Sequence, residues 1–209
     1  MSSKSKSNGN KTNSNTNNSN TNISSSSSSS SILSVVGDGE CLFNAVAYGI
    51  IYLSTGKLVS EKKYKPLAKV LRCKTVNLLR LQIKNLNMNT IQILSAEYNN
   101  SQKDFNEAKM IKRALKYTDK MSKSCTWGGH IELQVLGTIV QKYGYRGIQV
   151  HDAITKNLLM ASSIIKNNNP IIHVVLYGVN NAEFGTHYDF WNKQSKSKKF
   201  ASAKLKKCR

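Results

Sequence analysis

The apolar residues of the chain recur at helical spacing through much of its length. Cys41 to Ser54 is apolar at most positions, as a buried helix is, and Gly56 follows it as a helix breaker. Later segments mix apolar residues with lysine and arginine at the spacing of an amphipathic helix whose one face covers a core. The pattern predicts helices over residues 41–54, 66–86, 90–98, 104–117 and 131–143.

The later part of the sequence turns to strand patterns. Residues 147–151, 171–177 and 186–191 are predicted strands, and residues 32–36 form either a short strand or an extended lead-in to a turn. Residues 171–177 are apolar on both faces, which indicates a central position in the sheet. Because helices come first and strands late, we predict an α+β fold with a mixed sheet packed between helices.

Composition divides the chain into three parts. Residues 1–31 are almost entirely Ser, Asn, Thr, Lys and Gly, a composition that cannot bury enough apolar surface to fold, so we predict a disordered tail there. Residues 192–209 hold eight Lys or Arg and no acid, which predicts a basic C-terminal tail. The remaining residues, 32–191, suit one domain with a hydrophobic core.

Charge and cysteine content narrow the class of protein. The net charge is +20, and the basic tail can contact nucleic acid or another anionic surface, or can simply be solvated. No two cysteines form a CxxC pattern, which argues against zinc. No secretory signal is visible, and no apolar run approaches the roughly 20 residues of a membrane helix. We therefore expect an intracellular protein, cytoplasmic or nuclear, with free thiols and no membrane span.

One cysteine lies where a helix is predicted to begin. The Asp38-Gly39 turn comes just before Cys41, so this thiol faces the unpaired N–H groups and the positive dipole end of a helix. That environment lowers the pKa of a cysteine and makes it a candidate nucleophile if a histidine reaches it. We expect Cys73 to be buried packing inside a helix and Cys125 to be a bystander.

Four histidines compete as the partner of this thiol. His173 lies inside the predicted central strand and is expected to be a core residue, while His151 ends a strand and is expected at the surface or in a turn. His130 opens a helix. His187 begins a strand and shares a face with Asp189, whose carboxylate can accept a hydrogen bond from one ring nitrogen and leave the other for a thiol. His-x-Asp alone is a weak indicator, since many proteins contain it by chance.

Four motifs together resemble those of the ovarian-tumour (OTU) family of cysteine proteases. They are Gly-Asp-Gly-Glu-Cys-Leu-Phe at 37–43, Trp-Gly-Gly-His-Ile-Glu-Leu at 127–133, Tyr-Arg-Gly-Ile-Gln-Val at 145–150 and His-Tyr-Asp at 187–189. They occur in the family's order and spacing. The resemblance implies a papain-like fold with a small mixed sheet between helical layers. It also implies hydrolysis of the peptide or isopeptide bond after the C-terminal glycine of ubiquitin, polyubiquitin or a ubiquitin-like modifier, with no cofactor or metal.

The resemblance also assigns catalytic roles. Cys41 corresponds to the nucleophile and His187 to its general base and acid. Asp189 corresponds to the residue that orients the histidine, and Asp38 to the loop that shapes the oxyanion site.

Substrate contacts are predicted for Gly39, Glu40, Trp127 and Gly128. Gly39 permits a backbone close to the substrate. Trp127 beside Gly128 can wall a narrow slot for the Gly-Gly tail of ubiquitin, or can be a core residue beneath the helix. Glu40 stands where the family more often has Asn, and a carboxylate buried beside the thiol would oppose its ionisation.

Two other functions stay open on the sequence. One is a catalytically inactive module that binds ubiquitin. The other is a nucleic-acid-associated protein that acts through the basic tail at 192–209. The sequence does not indicate an oligomeric state.

Overall fold

The computed structural model describes residues 30–99, 106–178 and 187–193. The predicted tails, 1–31 and 192–209, lie almost entirely outside these residues, so the division of the chain into three parts stays a prediction. Asp104, where the fourth predicted helix begins, also lies outside them.

Helices dominate the first part of the fold and strands the second, as the sequence predicts. The helices are α1 (Cys41–Thr55), α2 (Glu61–Lys84), α3 (Met88–Asn99), α4 (Glu107–Met121) and α5 (His130–Gln141). The strands are β1 (Ser31–Leu33), β2 (Ile148–Asp152), β3 (Leu158–Ala161), β4 (Ile172–Tyr177) and β5 (His187–Asn192). None of the helices in the described ranges is long and apolar enough to cross a membrane.

The strands form one mixed sheet in the order β1-β5-β4-β2-β3. β2 runs parallel to β4, and the other three pairs are antiparallel. β4 is central, which confirms the prediction from its apolar faces. β3 was not predicted, because this four-residue edge strand is apolar throughout and shows no alternation. The α+β class with a mixed sheet is confirmed.

Helix α1 is the central helix of the fold. It packs against β5 and β4 on one side and against α2 on the other. Its first ten residues are all buried. The sheet meets it through the alternate residues of two strands that face the same way: Ile172, Val174 and Leu176 of β4, and Tyr188 and Phe190 of β5. This packing fixes the beginning of α1 against the beginning of β5.

Gly49 allows α1 to lie this close to the sheet. A Cβ atom at this position would lie 2.8 Å from ring carbons of Phe190 and 3.0 Å from the Cγ2 of Ile172. Both neighbours are almost fully buried and have no room to move.

We predict that Gly49→Ala destabilises the protein, because the added methyl group overpacks the α1–β5 contact. The expected fall in the free energy of unfolding is about 1–3 kcal/mol, measured by urea denaturation. Gly56→Asn is the matched control: Gly56 ends α1 in the left-handed region, at φ +67°, and nothing lies within 4 Å of its Cβ position. Asn tolerates this region, so the control should cost about 1 kcal/mol at most. Equal effects of the two substitutions would contradict the packing argument.

Candidate active site

Cys41 is the first residue of α1, and its side chain meets the beginning of β5. The residue is only 3% exposed. The backbone N–H groups of Tyr188 on β5, of Leu42 and of Cys41 itself all favour the thiolate. Because Tyr188 directly follows His187, the thiol lies beside the strand that carries the histidine predicted as its partner.

His187 is the first residue of β5, and its imidazole lies against the loop that leads into α1. Its Nε2 is 2.9 Å from Oδ1 of Asp189, so the carboxylate fixes one ring nitrogen. The other nitrogen, Nδ1, lies against Gly37, where a Cβ atom would be only 3.3 Å away. Gly37 precedes Cys41 by four residues, so the second nitrogen faces the loop that carries the thiol.

The carboxylate of Asp189 is buried and held by several donors. It accepts hydrogen bonds from the N–H of Val35 at 2.8 Å and from the hydroxyl of Ser34 at 3.2 Å, in addition to its bond with His187. The Tyr177 ring lies beside the imidazole with centroids 6.1 Å apart, and burial and the nearby Asp189 carboxylate raise the pKa of the Tyr177 hydroxyl. A buried carboxylate bound by three partners has one orientation, and so does the histidine that it holds.

Asp38 closes the turn that precedes Cys41. Its Oδ1 accepts the N–H of Glu40 at 3.0 Å and the side-chain amide of Asn44 at 3.1 Å. Its Oδ2 is 3.2 Å from the ammonium group of Lys65 on α2. The Asp38 side chain is therefore bound within the loop, and its negative charge works against ionisation of the Cys41 thiol.

Gly39 and Glu40 both face into the protein. Gly39 has φ +77°, and a Cβ there would lie 2.6 Å from the carbonyl oxygen of Cys125. Glu40 is 7% exposed, with Oε1 3.6 Å from Nε of Arg72. The carboxylate is thus buried but paired with a guanidinium. A direct contact between the Glu40 side chain and a substrate stays a prediction.

Trp127 and Gly128 form a turn that lies against the beginning of α1. Trp127 is 47% exposed, so of the two roles considered for it, that of a core residue is wrong. A Cβ at Gly128 would lie 2.9 Å from Cδ2 of Leu42, so the turn touches α1 directly. Trp127 also lines a cavity of about 300 Å³ together with Cys125 and Tyr117.

A buried glutamate on α5 holds this turn by a hydrogen bond. Glu132 is fully buried and accepts the N–H of Gly129 at 2.7 Å and the hydroxyl of Tyr117 at 3.0 Å. Burial raises the pKa of Glu132, although both hydrogen bonds oppose that shift. The turn before α5 is therefore fixed at its N-terminal cap.

The structure places the remaining histidines on β2, β4 and α5. His151 is 3% exposed, so its expected surface position is wrong: it stands on β2 beside β4, and its Nε2 lies 3.1 Å from Nδ1 of His173. His173 is thus satisfied by a neighbour, as predicted, and burial lowers its pKa to about 4. His130 is exposed at the beginning of α5. The expectation for Cys73 is wrong, because this residue is exposed on α2.

Burial dominates the ionisation of Cys41. It raises the pKa of the thiol above its usual range, while the N–H groups of Tyr188, Leu42 and Cys41 only partly oppose the shift. The prediction that the helix terminus lowers this pKa is therefore wrong, because the loss of hydration outweighs the backbone N–H groups.

One known protein family matches most of this chain. The family model described as "OTU-like cysteine protease" matches residues 36–188. The chain belongs to this family.

The chain is also similar to solved OTU domains, at low sequence identity. The viral OTU domain protease from Farallon virus has a TM-score of 0.49 and 16% identity, with 78% of this chain and 83% of that chain covered. The OTU domain of OTUD1 has a TM-score of 0.43 and 15% identity, with 78% and 85% covered. An OTU domain solved in complex with ubiquitin has a TM-score of 0.39 and 21% identity, with 78% and 69% covered. No protein with a curated description matches the chain.

Sequence reasoning missed three side chains of this OTU site. Asn44 donates its amide both to Asp38 and to the carbonyl of Val36, and the Tyr177 ring lies beside the imidazole of His187. Arg72 lies buried beneath the loop at 37–40. Asn44 stands on the apolar helix after Cys41, where a polar residue needs a partner, and that oddity was the available signal.

We predict that the thiol of Cys41 reacts with iodoacetamide only at high pH in the free folded protein. A raised pKa means that the reactive thiolate is depleted near neutrality and grows as pH rises. The measurement is the pH midpoint of Cys41 alkylation by peptide mass spectrometry, with the urea-unfolded protein as control. The folded midpoint should exceed the unfolded one, which should lie at about 8.5. A folded midpoint below the unfolded one would contradict the dominance of burial.

Proposed function

We propose that this chain is a thiol-dependent deubiquitinase. It hydrolyses the peptide or isopeptide bond after the C-terminal glycine of ubiquitin. The observation that carries the proposal is the position of the His187 imidazole within a chain of the cysteine-protease family. Asp189 binds its Nε2, and its Nδ1 lies against Gly37 in the loop that leads to the buried Cys41. One OTU domain of similar fold has been solved in complex with ubiquitin.

His187 starts the reaction by accepting the proton of Cys41. Asp189 holds Nε2, so Nδ1 is the nitrogen that takes this proton. The raised pKa of the thiol means that the proton leaves only when the imidazole accepts it. The sulfur then attacks the carbonyl carbon of the terminal glycine, and the buried Asp189 carboxylate stabilises the imidazolium that forms.

The beginning of α1 stabilises the negative charge on the carbonyl oxygen. The N–H of Glu40 is already bound to Asp38, so we assign the oxyanion to the N–H of Cys41, at the positive end of the helix. One such donor contributes about 3–4 kcal/mol in proteases that have been measured. His187 then protonates the departing lysine amine, and a water molecule that it activates hydrolyses the thioester.

The turn at 127–128 and the loop at 39–40 are proposed walls for the ubiquitin tail. Trp127 is exposed and offers an aromatic surface. Gly39 lies against Cys125, and Gly128 lies against Leu42, and neither contact leaves room for a side chain. A tail that ends in two glycines has no side chains of its own and fits a slot between such walls. Asp38 acts by closing the loop at 37–40.

We predict that Cys41→Ala and His187→Ala each abolish cleavage of di-ubiquitin, a loss of at least about 10³-fold, since each removes a group that bonds or transfers a proton in the reaction. The measurement is gel-based cleavage of a panel of di-ubiquitin linkages and one ubiquitin-like conjugate. Cys73→Ala and Cys125→Ala are the matched controls, because both thiols are free and exposed.

Covalent capture separates the enzyme from an inactive binding module. Ubiquitin with a C-terminal electrophile should modify Cys41 and no other cysteine. Binding of ubiquitin without this adduct would favour the inactive module. Loss of activity in Cys73→Ala instead would show that the nucleophile is misassigned.

We predict that Asp189→Asn lowers kcat/KM by about 10- to 100-fold without abolishing activity, because an amide oxygen still accepts from His187 but carries no charge. Asp189→Ala is the contrasting variant. It leaves the buried N–H of Val35 without its partner, which costs about 1–3 kcal/mol of stability as well as activity. The readouts are hydrolysis of a fluorogenic ubiquitin amide and a thermal melt. Equal activity of the two variants would contradict the orienting role of Asp189.

A further inference from the structure

A buried arginine lies directly beneath the candidate active site. Arg72 of α2 is only 5% exposed, and a charged side chain is rarely buried so far unless it is well paired. Its guanidinium also lies over the ring of Phe43, 4.6 Å from the centroid. The steps of hydrolysis described above make no use of this residue.

The guanidinium binds two loops at once. Towards the loop before α1, Nη2 donates to the carbonyl of Gly39 at 3.4 Å, and Nε faces the carboxylate of Glu40. Towards the segment that leads to Trp127, the same Nη2 donates to the carbonyl of Thr126 at 2.8 Å. Nη1 donates to two further carbonyls of this segment, those of Met121 at 3.0 Å and Lys123 at 3.2 Å.

These contacts fix a peptide group next to Cys41. The peptide between Gly39 and Glu40 is bound at both ends: its carbonyl by Arg72 and its N–H by Asp38. The next peptide carries the N–H of Cys41, and its carbonyl accepts the first helical hydrogen bond, from the N–H of Asn44 at 2.9 Å. The direction of the Cys41 N–H therefore depends on the peptide that Arg72 holds.

We propose that Arg72 is a positioning residue for the reaction: its guanidinium joins the loop before Cys41 to the segment before Trp127, and so aims the oxyanion donor and sets the width of the slot. This inference rests on the proposed function. Lysine cannot replace it, because a single ammonium group cannot reach carbonyls and a carboxylate that lie around a planar fork.

The test compares two reactions of the same thiol. Acylation of Cys41 by a ubiquitin amide or by p-nitrophenyl acetate passes through an oxyanion, whereas alkylation by iodoacetamide does not. Arg72→Lys and Arg72→Met should lower kcat on the ubiquitin amide, and the rate of acylation by p-nitrophenyl acetate, by about 10- to 100-fold. The rate of alkylation should stay within about twofold of wild type, and its pH midpoint should not move, because burial and the backbone N–H groups that dominate the Cys41 pKa are retained in these variants.

Arg80→Met is the matched control. Arg80 lies on the same helix and pairs with Asp119 of α4 at 2.7 Å, but it is exposed. This variant removes an arginine between the same two helices and should leave both reactions unchanged.

The outcomes separate positioning from general stability. A parallel fall in acylation and alkylation, or full kcat in Arg72→Lys, would overturn the proposal. Each rate is divided by the concentration of folded protein, which is determined by circular dichroism. If Arg72→Met fails to fold, Glu40→Gln replaces it: this variant weakens only one of the contacts and should produce a smaller split in the same direction. If the wild type does not cleave ubiquitin amides, the proposed function fails, and the ratio of p-nitrophenyl acetate to iodoacetamide reactivity still decides the role of Arg72.

Discussion

The buried carboxylate of Asp189 joins the two halves of the candidate site. It accepts the N–H of Val35, in the segment that leads into α1, and it also holds the imidazole of His187 on β5. These two segments lie more than 150 residues apart in sequence. Because one carboxylate binds both, the histidine cannot move away from the loop at 37–40 without leaving a buried donor unsatisfied, and every later feature of the site depends on this link.

Helix α2 supports the site from the opposite side. Lys65 binds Asp38 near the surface, and Arg72 binds Gly39 and Glu40 below it, two turns further along the helix. The end of the seven-residue connection between β1 and α1 is thereby fixed by side chains from a third element, α2. Active-site geometry that must be held to fractions of an ångström is commonly supported in this way by rigid elements rather than by the loop itself.

The sequence predicted the elements better than it predicted burial at single positions. The apolar residues of β4 indicated its central place, and the motif around Cys41 indicated the beginning of α1. The cysteine at 73, expected to be buried, is exposed, and the arginine beside it at 72, for which the sequence analysis made no prediction, is buried. The helical phase carried the missing signal: Ala68, Arg72 and Leu79 lie on one buried face of α2. A charged residue on that face needs partners from distant loops, and pattern reasoning cannot identify those partners.

The ionisation of Cys41 also depends on burial, which the sequence pattern does not predict at a single position. A helix terminus is visible in the sequence, but the degree of burial of its first side chain depends on how closely β5 approaches it.

The central claim, that the imidazole of His187 adjoins this thiol, can be tested by NMR of ¹⁵N-labelled histidine before and after alkylation of Cys41. We expect the His187 Nδ1 resonance to shift while Nε2 keeps its bonded proton. Unchanged His187 resonances in a fully alkylated protein would contradict it.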